Sequence, residues 1–197
     1  AKKNLNNSLA VYTSRLDKSE TVKKNIHAVK MLKDGIEHNR FFPHFQPIID
    51  LKDGRVIKYE ALIRLKRADG TIVYPASFIS QAKEAKLLNK LTKIMLIKSF
   101  EVFKHANSSF SVNLSFSELK DQNNQDRILE IIDSYGIHSK KLTLEILEDD
   151  EIDDYDLLHR FLQKVQKFGV SIAIDDFGSG YSNFGHIISM NTNSIKI

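Results

Sequence analysis

The chain has no cysteine, only three prolines, and no apolar run near the roughly 20 residues that a membrane-spanning helix requires. Without thiols there is no disulfide framework, no thiolate zinc site and no cysteine nucleophile. Their absence also fits a reducing compartment, so a cytoplasmic location is expected. The opening residues, Ala1-Lys2-Lys3-Asn4-Leu5, lack the apolar stretch of a secretory signal, and membrane contact by this segment is not expected. A start without Met suggests a piece of a longer protein. What is present, 42% hydrophobic and 27% charged residues over 197 positions, is too apolar for a disordered polymer and enough for a packed core.

The net charge of +4 suggests a polyanion partner until it is divided along the chain. The first 40 residues hold nine Lys/Arg against four Asp/Glu, and the remaining 157 hold 20 against 21. The basicity therefore belongs to the leader. A groove for a nucleic acid polymer along the main body is not expected.

The leader reads as a loop or strand remnant around residues 9–12, followed by a helix. Asp17 and Glu20 resemble a capping box, and Val22, Ile26, Val29, Leu32 and Ile36 form one apolar stripe that needs a packing partner. From Phe41 on, apolar runs at 45–49, 57–65, 110–114, 142–147, 170–174 and 194–197 alternate with helical spacings. Two of those helices stop at Gly136 and Gly169. The last four runs start about 25 to 35 residues apart, the size of a βαβ unit, and predict a parallel sheet.

Side chains alternate between the two faces of a strand. Lys58, Glu60, Leu62 and Arg64 share one face of the second run, Ser111 and Asn113 one face of the third, and Thr143 and Glu145 one face of the fourth. Ser171, Ala173 and Asp175 do so in the fifth, and Ser194 and Lys196 in the sixth. The opposite faces are apolar. An open doubly wound sheet buries both faces in apolar residues, whereas a (β/α)8 barrel covers an apolar outside with helices and gathers polar groups at the C-terminal ends of its strands. A TIM-like barrel is the expected architecture.

The strand ends then bring together Glu60, Asn113, Glu145, the pair Asp175-Asp176 and Lys196. At ~4 Å and an effective dielectric of about 20, each close carboxylate pair repels by roughly 4 kcal/mol. Divalent cations relieve this, and an all-oxygen donor set suits Mg²⁺ or Mn²⁺ better than Zn²⁺. Adjacent Asp175 and Asp176 can serve two ions, which together activate water and clamp an in-line phosphoryl displacement. Solvated strand-end charges are the alternative reading. The acidic stretch 148–156 reads as a solvated helix N-terminus.

Glu60-Ala61-Leu62 with Arg64 resembles the signature of EAL-domain phosphodiesterases, which cleave cyclic di-GMP to linear pGpG on a TIM-like barrel. Further matches follow in the family's order: Phe45-Gln46-Pro47-Ile48, Pro75 to Ile79, Val112-Asn113-Leu114-Ser115, Leu144-Glu145-Ile146-Leu147-Glu148, the run from Asp175-Asp176-Phe177-Gly178 to Ser182, and Ile195-Lys196-Ile197. The resemblance covers residues 41–197. It implies that Glu60, Asn113, Glu145 and Asp175 are metal ligands, with Asp176 at a second Mg²⁺ or Mn²⁺ ion. It implies that Lys196 orients the attacking water or balances the phosphate charge. Gln46, Leu62 and Arg64 would contact the dinucleotide, and Glu148 would hold the loop 175–182, which touches the dimer interface in family members.

By the same resemblance, residues 1–16 look like the tail of a preceding GGDEF domain, 17–40 like a connecting helix, and 41–197 like the N-terminal three-quarters of an EAL barrel. The chain departs from the family pattern at Leu147, where Thr is usual, and at Lys83, where Glu is usual. A full barrel takes roughly 250 residues, so about six of eight strands are expected here. Two exposed sheet edges would then favour homodimerisation or association through the open edge, and little or no activity in this chain by itself. A non-catalytic cyclic di-GMP receptor that signals through the leader helix is the alternative function.

Overall fold

The computed structural model describes residues 19–147, 152–175 and 192–196. Residues 1–16 of the leader, the capping residue Asp17, and the predicted site residues Glu148 and Asp176 lie outside the described residues.

The six predicted runs are the six strands of one continuous sheet path, ordered β1 (Phe41–Ile49), β2 (Val56–Lys66), β4 (Ser109–Leu114), β5 (Leu142–Leu147), β6 (Ser171–Asp175) and β7 (Ser194–Ile195). A two-residue β3 (Ile72–Val73) pairs with β2 off that path. The pairs from β2 to β7 along the path are all parallel. Among the described residues the sheet is not closed, and β1 and β7 are its outer strands.

Two details differ from the sequence reading. The first strand begins at Phe41 rather than residue 45, and it runs antiparallel to β2, with Gln46 opposite Glu60. Pro43 and Pro47 break its apolar pattern, and an outer strand tolerates them because its free side needs no N–H donor. The connection is a tight hairpin at Asp53-Gly54, where Gly54 takes φ +72°. An Asp-Gly pair between apolar runs is a hairpin signal in its own right.

Helices α3 (Leu88–Phe103), α4 (Gln122–Ser134) and α5 (Tyr155–Gln166) cover the apolar face of the sheet. Met95, Leu96, Phe100 and Phe103 of α3, Ile128 and Ile132 of α4, and Leu158, Phe161, Leu162 and Val165 of α5 are buried there. They form one core with Val112 and Leu114, with Leu142, Leu144 and Ile146, and with Val170, Ile172 and Ile174. These strand residues are the ones that alternation assigned to packing. Gly136 (φ +53°) and Gly169 (φ +81°) adopt the left-handed conformation just past the ends of α4 and α5. At the start of α5, Asp154 caps the helix by accepting from Leu157 N at 2.8 Å, and Asp156 sits in the first turn, as expected of that acidic stretch.

The leader helix α1 (Ser19–Glu37) uses only the second half of its stripe. Leu32 is fully buried in a smaller core with Phe41, Leu65, Phe78 and Leu91, and Ile36 packs against it. Val22 and Ile26 remain 53% and 64% exposed. The underlying residues Phe41 and Leu65 lie beside the last turns of the helix, where Gly35 allows close approach. No helix among the described residues is long and apolar enough to cross a membrane.

Candidate metal centre

The parallel register keeps the polar side chains of four strands on one face. Glu60 lies opposite Ser111, Ser111 opposite Thr143, and Thr143 opposite Ser171. One pleat further on, Asn113 lies opposite Glu145 and Glu145 opposite Ala173, and in the next layer Leu147 lies opposite Asp175. Glu60, Glu145 and Asp175 therefore come from three successive layers. The stagger brings them together because barrel strands tilt, so residues at one height step along the chain from strand to strand.

One carboxylate oxygen from each of Glu60, Glu145 and Asp175 lies within 4.8 Å of the others, an arrangement able to hold a metal ion. The Lys196 ammonium sits among them, donating to Glu60 Oε2 at 3.1 Å, Glu145 Oε2 at 2.8 Å and Asp175 Oδ2 at 2.9 Å. Burial works to lower the Lys196 pKa. The hydrogen bonds to Glu145 and Asp175, the charge of Glu145 and the hydrogen bond to Glu60 outweigh it, holding the ammonium above the ordinary lysine range. Glu145 is completely buried, and its second oxygen, Oε1, accepts from Lys58 Nζ at 3.1 Å.

The fourth predicted ligand completes the set. Asn113 donates from Nδ2 to Glu60 Oε1 at 3.1 Å, which fixes its amide orientation. Its Oδ1 is buried with no hydrogen-bond partner. A buried acceptor without a donor is costly, and a cation beside it removes that cost. The donors on offer are three carboxylates and an amide oxygen, with neither sulfur nor imidazole among them, so the residues present fit a hard divalent ion such as Mg²⁺ or Mn²⁺.

The sequence-predicted residues thus divide into two groups. Glu60, Asn113, Glu145, Asp175 and Lys196 converge. Gln46, Leu62 and Arg64 do not join the cluster. Gln46 is exposed on β1 opposite Glu60. The Arg64 guanidinium stacks 4.7 Å over the Tyr74 ring and donates from Nη1 to Ile63 O. Leu62 and Asn113 help line a cavity of about 210 Å³, whose wall includes Pro75, Ile79, Glu118 and Leu147. Sequence reasoning gave Lys58 no role, although it lies on the Glu60 face of the same strand. It also did not see the cavity, whose walls come from segments far apart in the chain.

Comparison with known proteins gives the same direction. The chain is 29% identical over 171 residues to the Probable cyclic di-GMP phosphodiesterase PdeB of Escherichia coli, covering 84% of this chain and 33% of that protein. It is 28% identical to the signaling protein YkoW of Bacillus subtilis, covering 94% of this chain and 24% of that one. The chain therefore spans a quarter to a third of the length of these relatives. Among solved structures, the FimX EAL domain of Pseudomonas aeruginosa bound to c-di-GMP superposes with a TM-score of 0.77 at 26% identity, covering 86% of this chain and 70% of that one. The PaMucR phosphodiesterase in its c-di-GMP complex superposes at 0.78, with 24% identity and coverages of 87% and 72%. Residues 29–197 match the EAL domain model, and the chain belongs to the EAL domain family.

Proposed function

We propose that the protein of which this chain forms part hydrolyses cyclic di-GMP to linear pGpG, using two Mg²⁺ or Mn²⁺ ions. The observation that carries this reading is the convergence of Glu60, Glu145 and Asp175 within 4.8 Å, on the strand face where the sequence placed them. Glu60, Asn113, Glu145 and Asp175 would hold one ion, and Asp176 the other. Bound there, the ions supply Lewis-acid stabilisation of the phosphoryl oxygens and a nucleophile from water at neutral pH.

In the reaction, the oxygen of water adds to one phosphorus and the bond from that phosphorus to a ribose 3′ oxygen breaks. The 3′ oxygen leaves with a proton, and the phosphate stays on the 5′ oxygen of the opened product. Lys196, an ammonium with three donor hydrogens already set among the ligand carboxylates, orients the attacking water or balances the phosphate charge. Arg64, restrained by Tyr74, Gln46 on β1 and Leu62 on the cavity wall would contact the dinucleotide. By the family resemblance, Glu148 would hold residues 175–182 in place. A cytoplasmic location fits that substrate, and the leader would pass signals from a preceding GGDEF domain.

Chromatography of cyclic di-GMP incubated with Mn²⁺ tests this reading. The 197-residue chain is run beside a form extended by about 60 residues, towards the length of a full barrel. The extended form is expected to release pGpG and the shorter form little or none. Tight cyclic di-GMP binding in EDTA, with no product from the extended form in Mn²⁺, would replace the enzyme by a receptor.

A further inference from the structure

The strand face that carries the acidic cluster holds a second cation. Lys58 lies two residues before Glu60 on β2, reaches past the neighbouring strand, and donates from Nζ to Glu145 Oε1 at 3.1 Å. Its side chain is 16% exposed and that of Glu145 is 0% exposed, so this ion pair is shielded from water. The other Glu145 oxygen is held by Lys196. Both oxygens of one buried carboxylate are thus occupied by ammonium groups of the chain itself.

We propose that Lys58 is an internal counter-cation of the acidic cluster: a positioning residue that stabilises the metal-free centre and lowers its affinity for divalent ions. The inference rests on the reading of the cluster as a divalent metal centre. Three carboxylates with Lys196 and Lys58 carry a formal charge of −1, whereas without Lys58 the same groups carry −2. A carboxylate taken out of water needs such compensation, and a buried one is left strongly unfavourable when its partner is removed. The two lysines differ in where they stand. Lys196 donates to one oxygen of each of the three carboxylates, whereas Lys58 donates only to the other oxygen of Glu145. Lys58 would therefore stay bound to Glu145 when the three carboxylates hold a cation, and like charges on one carboxylate oppose each other at short range.

Calorimetric Mn²⁺ titration and thermal melting in EDTA, on the wild-type 197-residue protein and on Lys58→Met, Lys58→Gln and Lys58→Arg, test the inference. Met keeps the length of the stem without charge, Gln keeps a hydrogen-bond donor without charge, and Arg keeps the charge. The Met and Gln variants are expected to bind Mn²⁺ at least about tenfold more tightly, because a like charge beside the cation is removed. They should also melt at lower temperature in EDTA and gain more from Mn²⁺ than the wild type does. The Arg variant should follow the wild type in both measurements.

Binding by the Met and Gln variants that is unchanged or weaker, while the wild type binds, overturns the role of Lys58 and leaves the metal centre standing. An Arg variant that behaves like Met overturns it too, because charge is then not the cause. Should the uncharged variants fold only when Mn²⁺ is present, or bind it where the wild type does not, the inference is supported. No binding by any of the four proteins overturns the metal reading and this inference together.

Discussion

Asn113 and Glu60 are hydrogen-bonded, Nδ2 to Oε1 at 3.1 Å, although they are not opposite each other in the sheet; Glu60 faces Ser111, and Asn113 lies one pleat further along β4. The bond crosses between layers. It fixes the amide so that Oδ1, buried and without a hydrogen-bond partner, is the atom a cation would take. Removing that donor should weaken the ion more than the fold. Asn113→Ala is expected to lose Mn²⁺ affinity by about 10- to 100-fold in calorimetry. Denaturant unfolding in EDTA should change by only about 1 kcal/mol, the net worth of one hydrogen bond.

Glu145→Gln removes the buried charge to which two lysines are bound. Hydrolysis by the extended protein and Mn²⁺ binding are both expected to fall by roughly a hundredfold or more. The melting temperature in EDTA should fall as well, since Lys58 and Lys196 lose a buried partner. A variant that retains wild-type Mn²⁺ affinity would show that Glu145 is not a ligand.

The core between α3 and the sheet is tightly packed around aromatic rings. Phe100 is fully buried, stacked on Tyr135 at 4.3 Å between ring centroids and edge-on to Phe110 at 5.1 Å. Phe100→Ala is expected to cost about 3–5 kcal/mol in denaturant unfolding, from lost transfer energy and the cavity left behind.

Gly35 sits inside α1 because the helix passes close to the sheet. A Cβ there would come within 2.6 Å of Leu65 Cδ1 and 2.9 Å of Phe41 Cε2. Alanine normally favours a helix by about 1 kcal/mol over glycine. Here Gly35→Ala is expected to destabilise by about 1–3 kcal/mol, because the added methyl forces the core apart. Unfolding curves of the two proteins decide the sign.

Tyr135 gives the protein an alkaline pH dependence. Burial, then the 2.9 Å hydrogen bond to Glu101 and the charge of Glu101, push its phenol up to about 12. A proton held more tightly in the folded state gives stability that is fully present below about pH 10, where an unfolded tyrosine is still protonated, and is lost as pH rises towards 12. The stability difference between wild type and Tyr135→Phe should therefore be constant from pH 7 to 9 and shift against the wild type above pH 10. Phenolate absorbance should show one of the six tyrosines ionising late, and that late ionisation should be missing from the variant.

How far the sequence could be read depended on how local the signal was. The outward residues Val112, Leu114, Leu144, Ile146, Ile172 and Ile174 were legible because a strand repeats every two residues, and all are buried against helices. The stops at Gly136 and Gly169 were legible because the left-handed conformation favours glycine. The strand start at Phe41 was not, because Pro43 interrupts the apolar run, and the antiparallel pairing was signalled only by Asp53-Gly54. The extent of the leader's packing partner was not legible. Periodicity says that a helix has an apolar side, but not how far its partner extends, and Val22 and Ile26 lie beyond the part of α1 that packs on Phe41 and Leu65.

The sequence by itself determined which side chains face which way on each strand, and so the donor types of the site: Glu60, Asn113, Glu145, Asp175 and Lys196, all oxygen ligands but one ammonium. That information is local, since the pleat alternates without reference to other strands. Only the tertiary structure decided that residues from three different layers meet within 4.8 Å, and that Lys58, on the same face, donates to Glu145 Oε1. Those distances depend on the stagger between tilted, paired strands, a relation between segments up to 136 residues apart that no single segment encodes.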